Sequence, residues 1–277
     1  MTLKDIQYEI IKEYDIPVEK RIENWEVGIG LNEVDGLAPS KYLIELTKDS
    51  IEGKKNFDEI EKDLKNYYSK QNKDEINYSE MECDIVSTRI AKLLEDRTFV
   101  FSPIQLKSIH RKLFSELLLD ERDNTIGEYR KYNISKKEPI LNGDTVIYGE
   151  YSTIDEFLKY DFENESNKNY SEMNLEKQIK SLAKFTSAVW QIHPFIEGNT
   201  RTVAVFIQKY LLSMGYDVNN DLFKENSVYF RNALVASNYS NIPKRVSPNF
   251  FYLEQFFTKL LYNREIQLEE IVIFKSL

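Results

Sequence analysis

The chain offers few places where a helix must stop. Its 277 residues include only 9 glycines and 7 prolines, and between them apolar residues recur three and four apart, the period of a helix with one buried face. Long helices with short connections are the expected architecture. Loops belong where Gly, Pro and Asn gather.

In chain order, the spacing predicts a short helix from Leu3 to Tyr14 and then an arm, residues 22–36, in which glycines break any long helix. Trp25 and Leu31 would pack this arm onto the body. Pro39-Ser40 opens a helix carrying Tyr42, Leu43, Leu46 and Ile51, ended near Gly53, and Phe57, Ile60, Leu64, Tyr67 and Tyr68 mark its partner in a helical hairpin. Residues 69–80 are polar and aperiodic, as in a linker or exposed turn. Met81, Ile85, Ile90, Leu93 and Leu94 form the next apolar stripe. Ser102 caps a further helix with Pro103 at its first position, and His110 lies within it as a packing or surface residue. Ile140, Leu141, Asn142, Gly143, Asp144, Thr145, Val146, Ile147 and Tyr148 read as a β-hairpin, with Asn-Gly as the two-residue turn. Residues 216–226 read as a turn, 227–238 as a helix, and Phe250 to Leu261 as a last helix. The division expected is 1–75 for the arm and hairpin, 76–262 for a catalytic domain and 263–277 for a tail.

The densest chemistry lies in His193-Pro194-Phe195-Ile196-Glu197-Gly198-Asn199-Thr200-Arg201. Leu182, Phe185 and Val189 predict a helix before it, which Pro194 interrupts, and Val203, Phe206, Ile207, Tyr210, Leu211 and Met214 predict one beginning near Asn199, with Gly215 at its C-terminal cap. The free N–H groups of the second helix would face one small space with partial positive charge, which suits phosphate. Gly198 lets the backbone approach an anion, Asn199 and Arg201 offer donors, and Glu197 is a hard oxygen ligand for magnesium. His193 is left to take a proton as general base. Phe195 would anchor the loop in the core.

These residues resemble the signature of Fic domain proteins, His-x-Phe-x-Asp/Glu-Gly-Asn-x-Arg-x-x-Arg. Thr200 stands where Gly is usual, and Ala204 where a second Arg, which holds the γ-phosphate of ATP in the family, is usual. The resemblance implies a mainly α Fic-type helical domain with a β-hairpin flap and an accessory helical hairpin. In it His193 activates a target hydroxyl, Glu197 binds Mg²⁺, and Gly198, Asn199, Thr200 and Arg201 hold the phosphates of ATP. AMP is then transferred to a Ser, Thr or Tyr of a target protein docked on the flap, and to the enzyme itself. Gly127-Glu128-Tyr129-Arg130 is similar to the stretch that Fic domains carry before the flap. Glu52-Gly53 resembles the end of the family's inhibitory helix, Ser/Thr-x-x-x-Glu-Gly/Asn, with Lys48 at the Ser/Thr position. Phosphotransfer, transfer of another nucleotide and a catalytically degenerate nucleotide-binding module are the alternatives on the same cradle.

Net charge decides what the chain does not bind. At −9, with a pI near 5.1, it lacks the basic footprint of a nucleic-acid binder. One cysteine, Cys83, permits no internal disulfide, and two histidines beside it are too few for a zinc site. The sequence has no apolar run of the roughly 18 residues a membrane helix requires, and its first residues have no apolar leader core. A cytoplasmic protein without membrane or nucleic-acid partners is expected, with assembly as a homo-oligomer left open. Both a resident toxin and a secreted effector are compatible with it.

Overall fold

The computed structural model describes residues 16–72, 74–117, 125–218, 221–262 and 265–274. The helix expected from Leu3 to Tyr14 lies outside them. The first described helix, α1 (Val18–Gly30), runs through Gly28 and Gly30 where a broken arm was expected. A Cβ on Gly28 would meet the Ser87 carbonyl oxygen at 2.5 Å, and one on Gly30 the backbone of Lys224 at 2.6 Å. The glycines are helical because two neighbouring elements touch the bare backbone there, and that packing outweighs their low helix propensity, about 1 kcal/mol each. A 3₁₀ turn (Leu31–Asp35) follows and stops at Gly36 in the left-handed region, φ 71°.

The expected hairpin is present as α2 (Lys41–Ile51) and α3 (Phe57–Ser69). Ser40 caps α2 by accepting from the Leu43 N–H at 2.9 Å, and Asn56 with Glu59 forms a capping box on α3. Next comes α4 (Tyr78–Glu95), against which α1 and α3 pack. Its fully buried Asp84 accepts from the Ser40 N–H and hydroxyl, at 2.9 and 2.5 Å, and from the Tyr68 hydroxyl at 2.7 Å. One carboxyl therefore ties both hairpin helices to α4. Trp25, Leu43 and Leu64 belong to the same apolar core as Phe206 and Phe256.

After α5 (Pro103–Phe114), capped by Ser102 as expected, come α6 (Ile154–Ser166), α7 (Leu175–Ile192) and α8 (Asn199–Ser213). Every residue of α8 from Asn199 to Leu211 is buried, so the other helices enclose it on all sides. A short helix, α9 (Asp221–Glu225), stands where a plain turn was expected, then α10 (Ser227–Asn238) and α11 (Phe251–Leu261). The mainly helical architecture is the expected one. Residues 265–274 have no regular structure and lay Ile271, Ile273 and Phe274 against the core.

The flap departs from expectation. Its Asn-Gly turn forms, with both residues at positive φ (56° and 84°) and the Asp144 N–H donating to Leu141 O at 3.2 Å. No strand flanks it: Pro139–Leu141 coils into a 3₁₀ turn, and Glu138 N–H to Asp144 O, 2.8 Å, is the rung beyond it. Proline brings no N–H to a ladder, so pairing ends at once. Alternation persists without the ladder, with Val146 and Tyr148 buried and Ile147 79% exposed. No described helix is long and apolar enough to cross a membrane.

Candidate active site

The loop between α7 and α8 is shaped by its own side chains. Asn199 accepts from the Phe195 N–H at 3.0 Å and donates to the Phe195 carbonyl at 2.8 Å. Its amide thus closes the loop through Oδ1 and one N–H of Nδ2. Gly198 has φ 70°, and a Cβ there would strike the Phe114 ring at 2.4 Å, so the turn and the packing both require glycine. Thr200 accepts from Trp190 Nε1 at 3.0 Å. Phe195, 1% exposed, anchors the loop and stacks on His110, with ring centroids 3.8 Å apart.

His110 is a residue whose part at the site sequence reasoning missed. Its Nδ1 accepts from the Gly127 N–H at 2.9 Å, so the hydrogen sits on Nε2, which reaches the Glu197 carbonyl at 3.2 Å. Burial pushes its pKa down to about 3. A neutral imidazole thus spans α5 and the loop. Nothing but its place in the apolar stripe of α5 signalled this.

His193 closes α7 in the left-handed region, φ 50° and ψ 59°, uncommon for a residue with a side chain. Arg130 holds it there by donating Nε to the His193 carbonyl at 2.8 Å and Nη2 to the Ile192 carbonyl at 3.2 Å, while its N–H bonds Pro194 O at 2.8 Å. The imidazole stacks under the Tyr148 ring of the flap, centroids 3.9 Å apart. Its Nδ1 lies 3.2 Å from the Trp190 carbonyl, which can only accept, so Nδ1 carries the hydrogen and Nε2 keeps its lone pair. That Nε2 is buried and meets no hydrogen-bond partner among the described residues. Burial first, then the positive charge of Lys136, hold the pKa well below the usual imidazole value.

His193, Gly198, Asn199 and Thr200 line one cavity with Lys136 and Glu138 from the flap segment, Arg231 from α10 and Asp35 from the 3₁₀ turn. Only about 10 Å³ remains free inside, at the lower limit for a single water. Arg201 is 3% exposed and already engaged: Nη1 donates to Asn32 Oδ1 at 2.8 Å, Nη2 to Glu82 Oε1 at 2.7 Å, and Nε sits 2.9 Å from Asp35 Oδ2 as an ion pair. Glu197 is exposed and paired with Lys136 at 2.6 Å.

Asp35 and Glu138 are the carboxylates that line this cavity, and Glu52-Gly53 does not line it. Glu52 caps the exposed end of α2 and pairs with its neighbour Lys54, and Gly53 merely supplies positive φ, 72°, for the turn. Asp35-Gly36 has the same carboxylate-glycine form. It follows α1, whose packing on α4 and α9 carries the 3₁₀ turn onto the site.

Residues 100–211, which include this whole loop, match the Fic/DOC family. The chain carries a Fic domain, and proteins with this domain are typically protein transferases. No curated protein matches the sequence. Among solved structures, the N-terminal Fic domain of a VirB-translocated Bep effector from Bartonella sp. AR 15-3 is similar at 17% identity and TM-score 0.50, over 70% of this chain and 88% of that one. BepC of Bartonella tribocorum, solved with bound AMPPNP, is similar at 17% and 0.49, over 69% and 91%. A Fic domain signaling protein of Bacteroides thetaiotaomicron is similar at 12% and 0.49, over 92% and 99%. At such identities the likeness to the AR 15-3 effector is one of fold.

Proposed function

We propose that the chain is a protein adenylyltransferase restrained by its own N-terminal segment, moving AMP from ATP to a Ser, Thr or Tyr hydroxyl of a target protein and of itself. The observation that carries this is the buried, unpartnered Nε2 of His193 beside the N-terminus of α8. The hydroxyl gives its proton to Nε2 as its oxygen bonds the α-phosphorus. The bond from that phosphorus to the bridging oxygen breaks, and pyrophosphate leaves with the electron pair. The free N–H groups of α8 and the Arg201 guanidinium stabilise the charge that builds on the phosphate oxygens. The target lies along the flap, where exposed Ile147 between buried Val146 and Tyr148 presents a strand-like edge.

Magnesium keeps much of its water and takes one or two carboxylates beside substrate phosphates. Glu197, the one carboxylate of the loop between α7 and α8, suits that habit. Glu197 would hold the ion after exchanging its Lys136 partner. Bound there, magnesium supplies charge neutralisation of the triphosphate.

Asp35 restrains the enzyme. With its carboxylate on Arg201 and about 10 Å³ of free space, the site has no room for a triphosphate until the 3₁₀ turn withdraws. Ala204 in place of the family's second Arg keeps γ-phosphoryl transfer as the second reading. Incubation of the Asp35→Gly protein with α-labelled and, separately, γ-labelled ATP distinguishes them. Label from the α-position on protein is the expected result, label from the γ-position alone establishes phosphotransfer, and neither label overturns both.

A further inference from the structure

We propose that Arg231, on α10, supplies the phosphate-binding charge that the motif helix lacks at Ala204; this rests on the nucleotide reading above. Ala204 is completely buried and carries no donor, so the tail of a polyanionic triphosphate finds no guanidinium on that turn of α8. Arg231 enters the same cavity from another helix and lines it with Gly198, Asn199 and Thr200. Its two edges have different partners. Nε and Nη2 face Glu138 Oε2 at 3.3 and 3.2 Å, and Glu138, 1% exposed, is itself fixed by the Tyr148 hydroxyl at 3.2 Å. Nη1 donates to the Val34 carbonyl at 2.7 Å and lies 3.3 Å from Asp35 Oδ1.

Both partners of Nη1 belong to the 3₁₀ turn Leu31–Asp35, the segment that must leave before nucleotide enters. Its withdrawal strips that edge and leaves the Glu138 edge in place. What results is a guanidinium held in orientation by a buried carboxylate, with donors turned to the space that Asp35 vacated. A planar fork of this kind suits a phosphate oxygen pair, which an ammonium meets only as a point charge. The carboxylate of Asp35 stands in for that phosphate in the closed state.

The test uses the full chain in the Asp35→Gly background, with binding of a β,γ-imido ATP analogue and of AMP measured by titration calorimetry with magnesium. Arg231→Gln is expected to weaken the imido analogue at least tenfold and AMP less than twofold, and Arg231→Lys to fall between. If Arg231→Gln binds the imido analogue as its parent does, or weakens both ligands equally, the assignment is overturned while the nucleotide reading stands. If the Asp35→Gly parent binds no nucleotide, that reading fails and the assignment with it. Should the Gln variant not fold, Arg231→Lys decides: a threefold or greater loss confined to the imido analogue supports the assignment, and unchanged affinity overturns it.

Discussion

At the scale of single residues, the site depends on a histidine kept neutral. With its pKa pushed well below the usual 6.5 by burial, His193 holds a free lone pair at pH values where an exposed imidazole is half protonated. The acid limb of single-turnover labelling by the Asp35→Gly protein is therefore expected below pH 6.5, and a limb centred at or above 6.5 counts against this burial. His193→Ala should abolish transfer, with nucleotide binding retained by calorimetry, because in the proposed reaction the imidazole takes a proton and holds no phosphate. Near wild-type labelling by that variant removes the base assignment. That His193, Glu197 and Arg201 lie together was legible, because one short loop between two helices delivers them. The work of Asn199 was not, since a side chain that can donate to phosphate can equally close its own loop, and spacing cannot separate the two. Arg231 was illegible for another reason: it comes from a helix whose sequence shows only an apolar stripe, and the fold alone brings it to the loop.

At the scale of elements, periodicity identified α2 to α5, α7 and α8 and failed where tertiary contact overrides local preference. Gly28 and Gly30 read as breakers until Ser87 and Lys224 are seen against them. The flap carries the right turn dipeptide, but Pro139 denies it a ladder. Carboxylate-glycine pairs occur at 35–36 and 197–198 as well as at 52–53, and packing brings Asp35 to the cavity beside His193 while Glu52 stays exposed. From this follows a paired prediction. Asp35→Gly should raise auto-labelling at least tenfold by freeing Arg201 and the cavity, whereas Glu52→Gly should leave it within twofold, since an exposed pair with Lys54 contributes little. Equal activation by both variants, or none by Asp35→Gly in a folded protein, overturns the restraint assigned to the 3₁₀ turn.

At the scale of the whole molecule, the chain has two histidines, both are buried, and both have pKa values shifted downward. Unfolded, each takes up a proton near pH 6.5. Folded, His110 resists protonation down to about pH 3, so the unfolded state binds more protons throughout that interval. Stability from these groups is complete above about pH 6.5 and falls as the pH drops, by at most about 1.4 kcal/mol per pH unit for each histidine. Two terms oppose the loss. The net charge of −9 shrinks toward the pI near 5.1, which relieves self-repulsion, and carboxyls such as the buried Asp84 and the half-buried Asp161, with raised pKa values, take up protons first in the folded state. A difference between variants cancels both. His110→Asn keeps an acceptor for the Gly127 N–H but cannot be protonated. It should lower stability at pH 7.5 by about 1–3 kcal/mol through lost packing on Phe195, yet lose stability less steeply than wild type between pH 6.5 and 5, by about 1.4 kcal/mol per unit at the limit. Urea unfolding at intervals across that range measures both slopes, and parallel curves would show that His110 is not held neutral in the folded chain.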